Sequence, residues 1–292
     1  RYKPKVIVGT DYFNNHLGLY EVDKAELLPD ILKKNVTQKI WLQKLIKIIN
    51  KYNVQLLIPA LDFELKLYSK YKDFIEKKTG CYVLISSMGI IDIFSNKRKT
   101  IDFLKNNNLP HPKIFSVDEI KKKFFNNSKL IIKPTIGSTS EGVSIVNNID
   151  ELREKIKKVK NPVIQEYIKG KEFTCGCFYL NNKILSISCM SRFLKNGNTE
   201  FAKLENNTKI INFLKKFEKF QGFIGSINFQ LKLYKNKVYI FEINPRFSGT
   251  SYARHLFGIN EYDFFVEEYF KYKKNKRKLN NGYVIKSHSF KY

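Results

Sequence analysis

The sequence is poor in the residue types on which zinc sites and catalytic triads depend. Its 292 residues include only four histidines, four cysteines and one tryptophan. The cysteine spacing fits no zinc pattern, and four scattered histidines carry no triad. Cys175 and Cys177 lie two apart in an apolar run, so in a strand they share one face. We therefore expect the cysteines to be reduced and buried, as in a cytoplasmic protein.

Long apolar runs are also missing. No segment approaches the roughly 20 apolar residues that a membrane span requires. The first residues, RYKPKVIVGTDYF, form a short strand-like run rather than the apolar stretch of a signal peptide. We expect no membrane partner and a cytoplasmic location.

Acidic residues are scarce, since 27 of them face 53 basic residues, which gives a formal charge of +26. Seven of the basic residues are arginine and 46 are lysine, and the excess of Lys, Asn, Ile, Phe and Tyr is typical of an AT-rich genome. The lysines are dispersed except at 271–278, KYKKNKRK, which is either a solvated tail or a surface for acidic partners. A nucleic-acid site would favour clustered arginine with interleaved aromatics, so we expect no specific nucleic-acid partner.

Strand-like and helical patterns alternate in the first part of the chain. Residues 5–10 read as a buried strand with Asp11 at its carboxyl end, and an apolar stripe predicts a helix over 40–52. A strand and a helix start follow in 55–65, then a helix over 66–79 and a strand over 82–86. This alternation predicts a parallel α/β unit whose ligands bind at the carboxyl ends of its strands.

The remainder of the chain is richer in strand patterns. A helix is predicted over 96–107, a strand over 129–134, and a Gly/Ser/Thr turn between two strands over 135–146. The other predicted elements are a helix over 150–159 with Asp150 as its N-cap, two strands with a turn at Gly170 over 162–180, a helix over 210–220, and a hairpin over 227–245 that turns at Lys235–Asn236.

The segment YIFEINPRFSGTS places three polar residues on an otherwise apolar strand. Because side chains alternate along a strand, Glu242, Asn244 and Arg246 share one face, while Phe241 and Ile243 point toward the core. The hairpin turn brings Gln230 opposite Glu242. Carboxylate and amide oxygens suit Mg²⁺, and an arginine suits a phosphoryl group. The competing interpretation is an exposed strand edge with a salt bridge.

Two further segments carry nucleotide-binding chemistry. In IGSTSEGV, Gly137 and Gly142 permit close backbone approach, and the hydroxyls between them add donors for phosphate. Lys133 ends the preceding strand, where it could pair with a phosphate. Glu166 and Glu172 lie on either side of a short hinge and suit adenine and ribose. Taken singly, such a loop is more often a structural hairpin and such acids ordinary surface residues.

The order of these segments resembles the ATP-grasp ligases, and most of all the branch that includes the large subunit of carbamoyl-phosphate synthase and small carboxylate–amine ligases. The likeness covers nearly the whole chain, and EINPRFSG is its most specific part. It implies an α/β (α+β) protein in which an ATP-grasp fold follows a truncated Rossmann-like, pre-ATP-grasp parallel α/β domain. The implied domains are 1–94 and 95–292, with a lid over about 115–168.

The resemblance also implies residue roles and cofactors. ATP and Mg²⁺, or Mn²⁺ as an alternative ion, are the implied cofactors, and the magnesium ligands are Gln230, Glu242 and Asn244. Arg246, Lys133 and Arg192 are the implied catalytic residues. ATP contacts are implied for Lys97, Lys133, Gly137, Ser138, Thr139, Ser140, Gly142, Glu166, Tyr167, Ile168, Glu172 and Gln230. Asn96 replaces the aspartate that often precedes the basic residue matched by Lys97.

One departure concerns the beginning of the chain. The branch opens with a strand and a Gly-rich turn before the strand matched by VGTD, and no such unit precedes it here. Two explanations stay open: loss of the first β–α unit, or a truncated chain.

The resemblance implies a ligase that joins a small carboxylate to an amine through an acyl phosphate, with Asp62, Glu64 and Arg254 as candidates for substrate contact. A homodimer is compatible with the branch. The alternative is a catalytically reduced ATP-grasp module, or a subunit of a larger synthetase, that binds nucleotide without ligation.

Overall fold

The computed structural model describes residues 2–120, 125, 128–137, 141–195, 198–274 and 277–286. The chain divides into two compact units, residues 1–85 and residues 86–292. Within the described ranges, no helix combines the length and the apolar character that a membrane crossing needs.

The first unit contains short strands and two long helices. Its strands are β1 (Val8–Asp11), β2 (Lys24–Leu27), β3 (Leu56–Leu57) and β4 (Tyr82–Val83), and its helices are α1 (Gln38–Tyr52) and α2 (Leu65–Thr79). Strands β1 and β2 pair in parallel, and so do β3 and β4. Trp41 and Tyr68 meet edge to face at 4.9 Å between ring centroids, which packs the two helices together. The predicted parallel α/β pattern is present as two separate strand pairs.

The prediction of a buried strand over 5–10 is wrong. Among the described residues, the strand begins at Val8 and pairs with β2 alone, and Val6 and Ile7 before it are exposed. Three of the strand's four residues are partly buried and none is fully buried, because a strand at the edge of a two-stranded sheet is covered less completely than a central one. Asp11 does lie at its carboxyl end.

The second unit contains two sheets. The larger one has six strands in the order β13-β12-β9-β10-β11-β14, and the smaller has four in the order β5-β8-β6-β7. The strands are β5 (Ile114–Phe115), β6 (Leu130–Pro134), β7 (Ser144–Val146), β8 (Pro162–Glu166), β9 (Lys171–Leu180), β10 (Lys183–Lys195), β11 (Asn198–Leu204), β12 (Gly225–Tyr234), β13 (Lys237–Asn244) and β14 (Tyr283–Ile285). All pairings within both sheets are antiparallel.

The helices of the second unit are α3 (Met88–Phe94), α4 (Lys97–Asn106), α5 (Ile149–Ile156), α6 (Thr208–Lys215), α7 (Ser251–Leu256) and α8 (Glu261–Tyr269). Asn96 caps α4, with its side chain accepting from the amides of Arg98 and Lys99. The prediction of Asp150 as the cap of α5 is wrong, because Asn148 accepts from the amide of Glu151 instead. Asp150 lies in the first turn, where its charge favours the positive helix end.

The larger sheet has one apolar face and one polar face. Phe173, Cys175 and Cys177 of β9 lie in the main hydrophobic core, together with Ile227, Phe229 and Leu231 of β12. Since side chains alternate, the opposite face carries Glu172, Thr174 and Gly176 from β9 and Asn228, Gln230 and Lys232 from β12. All four cysteines are buried and unpaired, as predicted. The polar face is where the candidate site lies.

Candidate active site

The hairpin of β12 and β13 brings the predicted oxygen ligands together. Lys235 and Asn236 form its turn with φ of 44° and 64°, values that asparagine tolerates well. The register pairs Gln230 with Glu242 and Asn228 with Asn244. The side-chain nitrogen of Asn244, Nδ2, donates to Glu242 Oε1 at 2.9 Å. The predicted opposition of Gln230 and Glu242 is therefore confirmed, and it places three oxygen-bearing side chains at one end of the polar face.

A β-bulge in β13 aims Glu242 at this face. Glu242 pairs with Gln230, but Ile240 pairs with the next residue of β12, so Phe241 is an extra residue in the ladder. The core positions are therefore Ile240 and Ile243, three apart, and Phe241 is only half-buried. The prediction that Phe241 points into the core is wrong, because strict alternation does not anticipate a bulge.

Arg192 of β10 connects two of the predicted site residues. Its guanidinium donates to Glu172 Oε1 from Nε at 3.1 Å and from a terminal nitrogen at 2.9 Å. The same terminal nitrogen donates to Gln230 Oε1 at 2.8 Å. Lys232 extends the chain of contacts, since its Nζ lies 3.9 Å from Glu172 Oε2 and 4.5 Å from the centre of the Tyr167 ring. Glu172, Gln230 and Arg192 thus form one connected set. The predicted roles of these residues are ribose contact, metal binding and catalysis, respectively.

Two buried lysines approach the site from other elements. Lys133 is the second-to-last residue of β6 and donates to the carbonyl of Phe241, the bulged residue, at 3.3 Å. Burial lowers the pKa of Lys133 to about 8, the nearby charge of Glu242 raises it, and the charge of Lys97 lowers it further. Lys97, in the first turn of α4, donates to the carbonyl of Gly137 at 2.8 Å. These two ammonium groups give the site a positive character suited to phosphate.

The described part of the predicted phosphate loop is held close to these lysines. Gly137 and Gly142 have φ of 150° and 70°, and a Cβ on either would lie 3.3 Å from the ring of Pro134. Glycine is therefore favoured at both ends of the loop. The predicted hydroxyl donors Ser138, Thr139 and Ser140 lie outside the described residues.

The hinge after β8 includes the predicted adenine-side residues. Glu166 accepts from the Lys113 amide at 3.1 Å, and its own amide donates to the Lys113 carbonyl at 2.9 Å. The Tyr167 amide donates to the Lys129 carbonyl at 3.1 Å, and Ile168 is buried. The Glu166 carboxylate thus ties β5 to β8, while residues 166–168 lead into β9 and Glu172.

The remaining predicted residues lie after β13, on α7 and in the first unit. Arg246 lies two residues after the end of β13, and its backbone amide donates to the Asn244 carbonyl at 2.8 Å. Arg254 is fully buried, which removes it from direct substrate contact. In the first unit, Glu64 is 5% exposed and accepts from the Tyr12 hydroxyl. Burial raises the pKa of Glu64, and the Tyr12 hydrogen bond lowers it.

Sequence reasoning missed several residues of the polar face. Thr174 donates to Asn228 Oδ1 at 2.7 Å, and both side chains are buried beside Gln230. Lys232 was not assigned a role either. A usable signal was present, because Asn228, Gln230 and Lys232 recur at every second position of INFQLK.

Comparison with known proteins identifies the family. A family model described as an ATP-grasp domain matches residues 94–250, more than half of the chain. The chain belongs to the ATP-grasp family, as its sequence predicted. Its relatives include a D-alanine–D-alanine ligase from Fusobacterium nucleatum, 29% identical over 66% of this chain and 69% of that protein. Another is a carbamoyl phosphate synthase large chain from Clostridium botulinum, 25% identical over 62% of this chain and 19% of that protein.

Among solved structures, the N5-carboxyaminoimidazole synthetase of Staphylococcus aureus complexed with ADP has a TM-score of 0.67 at 15% identity. The match covers 95% of this chain and 73% of that structure. It extends the shared fold over nearly the whole chain. The resemblance to ATP-dependent ligases, including the carbamoyl-phosphate-synthase branch, is confirmed by these relatives.

Proposed function

We propose that the protein is an ATP- and Mg²⁺-dependent ligase that joins a small carboxylate to an amine. The observation that carries this proposal is the arrangement on the polar sheet face. There Gln230 lies opposite Glu242, Asn244 contacts Glu242, and Arg192 connects Gln230 to Glu172. One carboxylate and two amide oxygens fit Mg²⁺, which retains several water and phosphate ligands of its own.

Each residue of the set has a proposed task. Gln230, Glu242 and Asn244 hold the metal ion, whose charge offsets that of the phosphates when it is bound. Lys97, Lys133 and the 137–142 loop, including Ser138, Thr139, Ser140 and Gly142, bind and enclose the triphosphate. Glu166, Tyr167 and Ile168 border the adenine, and Glu172 accepts from the ribose. Arg192 and Arg246 stabilise negative charge at the transferred phosphoryl group.

The proposed reaction has two steps. A substrate carboxylate oxygen attacks the γ-phosphorus, and the bond to the β-phosphate oxygen breaks, giving an acyl phosphate and ADP. The amine then attacks the acyl carbon, the bond from that carbon to the phosphate oxygen breaks, and the nitrogen loses one proton to the departing phosphate or to water, which leaves an amide. Ionised carboxylates attack without a general base, so the proposed first step requires no His/Asp pair. Residues 115–168 act as a lid that excludes water from the acyl phosphate.

The domain arrangement is also proposed from the resemblance. Residues 1–94 form a Rossmann-like, pre-ATP-grasp domain, and residues 95–292 form the ATP-grasp domain. The parallel pairs β1–β2 and β3–β4 support the first assignment. The D-alanine–D-alanine ligase relative makes amino acids the first substrates to test.

The test is phosphate release from Mg·ATP with amino acids and other small carboxylates offered in pairs with amines. Glu242→Gln removes the one carboxylate of the metal set, and Glu154→Gln is the matched control at an exposed position of α5. A signal that needs both partners, is lost in Glu242→Gln and persists in Glu154→Gln supports the ligase. The relatives do not favour the alternative of a nucleotide-binding module. Tight Mg·ATP binding without turnover for any pair would support that module and refute the ligase.

A further inference from the structure

A fully buried arginine lies behind the turn that carries Arg246. Arg254, on α7, is 0% exposed, and its guanidinium contacts four hydroxyl groups and one carboxylate. One terminal nitrogen donates to Ser248 Oγ at 3.2 Å and Thr250 Oγ1 at 3.1 Å. The other donates to Ser251 Oγ at 2.8 Å and to Ser226 Oγ at 3.2 Å. Three of the four hydroxyls belong to the segment directly after Arg246.

The charge of Arg254 is balanced by Glu261, at the start of α8. Glu261 Oε2 accepts from Arg254 at 3.0 Å, and its other oxygen accepts from Ser226 Oγ at 2.9 Å. Ser226 belongs to β12, the strand of Gln230. The guanidinium therefore links α8 and the central sheet to the turn over residues 245–251.

The sheet is shaped to admit this guanidinium. Gly176 of β9 lies beneath Arg254, and a Cβ built on it would lie 2.6 Å from Nε and 2.7 Å from Cζ. Non-bonded atoms do not approach one another so closely, so any side chain at position 176 displaces the arginine. Gly176 follows Glu172 and Thr174 at every second position of β9, and it therefore belongs to the same sheet face as the candidate site.

The turn itself is folded around the arginine. The Ser251 amide donates to the Ser248 carbonyl at 2.9 Å, and the Ser248 amide donates to Ser251 Oγ at 3.1 Å. Ser248 Oγ and Thr250 Oγ1 lie 2.8 Å apart. Both hydroxyls accept from Arg254, so their own protons and lone pairs are oriented by it.

We propose that Arg254, which packs on Gly176 and is neutralised by Glu261, is a positioning residue for the 245–251 turn. By fixing this turn, Arg254 determines the position of Arg246 in the site. This inference rests on the proposed function for the role of Arg246. No ATP contact is proposed for Arg254, Gly176 or Glu261, so their disturbance acts on turnover rather than on nucleotide affinity.

The first experiment compares Arg254→Lys, Gly176→Ala and Arg277→Lys. A lysine keeps a charge beside Glu261 but cannot reach both groups of hydroxyls, because its donors radiate from one nitrogen. Gly176→Ala disturbs the same guanidinium from the sheet side. Arg277, paired with the buried Glu267 and stacked on Phe264, is the matched control, since both of these contacts lie away from the turn. We expect kcat to fall about 10- to 100-fold in the first two variants, with the Kd for Mg·ATP unchanged.

Two further readouts separate positioning from general damage. Hydrogen exchange in peptides covering 245–251 should be faster in Arg254→Lys and Gly176→Ala, while exchange in 227–243 stays as in the wild type. In an Arg246→Ala background, Arg254→Lys should lower kcat no further, because it acts through Arg246.

The outcomes distinguish this inference from the proposed function. Unchanged exchange of the turn in Arg254→Lys overturns it, and so do a normal kcat despite faster exchange or full additivity with Arg246→Ala. If Gly176→Ala does not fold, Arg254→Lys and the double variant still decide. If the wild-type protein turns over no substrate pair, the ligase proposal fails, and the exchange experiment alone decides whether Arg254 holds the turn.

Discussion

Lys133 gives the most direct test of the reasoning about the site, because its burial affects both function and stability. Its side chain is 5% exposed, and its pKa is lowered from 10.5 to about 8. The difference of about 2.5 pKa units corresponds to about 3 kcal/mol, since each unit is worth about 1.4 kcal/mol. The folded protein therefore holds a charged Lys133 at neutral pH at a considerable energetic cost.

We predict that Lys133→Met stabilises the fold at pH 7. The substitution removes the cost of about 3 kcal/mol but loses the hydrogen bond to the Phe241 carbonyl, worth about 1 kcal/mol, so the net gain is about 2 kcal/mol. The folded-state pKa lies below the unfolded one, so between pH 8 and 10.5 the unfolded chain binds more protons and the wild type gains stability as pH rises. The advantage of Lys133→Met should disappear over that window and reverse to about −1 kcal/mol, the value of the lost hydrogen bond.

The assay is urea denaturation of the wild type, Lys133→Met and Lys183→Met at several pH values from 7 to 10.5. Lys183 is exposed at the start of β10, so its variant is the control for the same substitution at an exposed position. Phosphate release by Lys133→Met should fall to background in the same preparation, because the proposed triphosphate contact is lost. A Lys133→Met protein that is less stable than the wild type at pH 7, or whose advantage is equal at pH 7 and pH 10, would refute the account of Lys133 as a desolvated cation.

Three further predictions concern single positions. Glu172→Gln should weaken ATP binding about tenfold in calorimetric titrations, because it loses the charged partner of Arg192 and the proposed ribose acceptor; unchanged affinity would exclude that role. Lys235→Asn should raise the free energy of unfolding by about 0.5 kcal/mol in urea, since asparagine adopts the φ of 44° at less cost, with no change in phosphate release. Phe229→Ala should lower the free energy of unfolding in urea by about 3–5 kcal/mol, because the ring is fully buried against Phe217, at 4.9 Å between ring centroids. A loss below about 1 kcal/mol would contradict the place of Phe229 in the core.

The hairpin of β12 and β13 was predictable because its information is local. Alternating apolar residues define both strands, and a Lys–Asn turn fixes which residues face each other. Gln230 and Glu242 could therefore be paired before the fold was known. The bulge at Phe241 could not, because an inserted residue leaves no trace in a short alternating pattern.

Other features depend on residues far apart in the sequence. Arg254 resembles a surface arginine of a short helix until Gly176, Ser226 and Glu261 are brought around it by three other elements. Strand β2, KAEL, has only two apolar residues, both of them exposed, and it exists through its pairing with β1. In both cases tertiary contacts determine the outcome, and a single sequence does not reveal such contacts.

The cations of the site have protein partners that a triphosphate would have to displace. Lys133 donates to the Phe241 carbonyl and Lys97 to the Gly137 carbonyl. A phosphate oxygen carries more negative charge than a carbonyl oxygen. Replacing the carbonyl by a phosphate oxygen would therefore strengthen the hydrogen bond of each lysine. Because Lys97 donates to the Gly137 carbonyl, a phosphate oxygen that took over this hydrogen bond would release that carbonyl. The proposed ATP contact of Lys97 would therefore couple nucleotide binding to the surroundings of Gly137 through one ammonium group. We predict that Lys97→Met weakens ATP binding and makes hydrogen exchange in the peptide containing Gly137 insensitive to ATP. Exchange that still responds to saturating ATP in Lys97→Met would show that another contact carries the coupling.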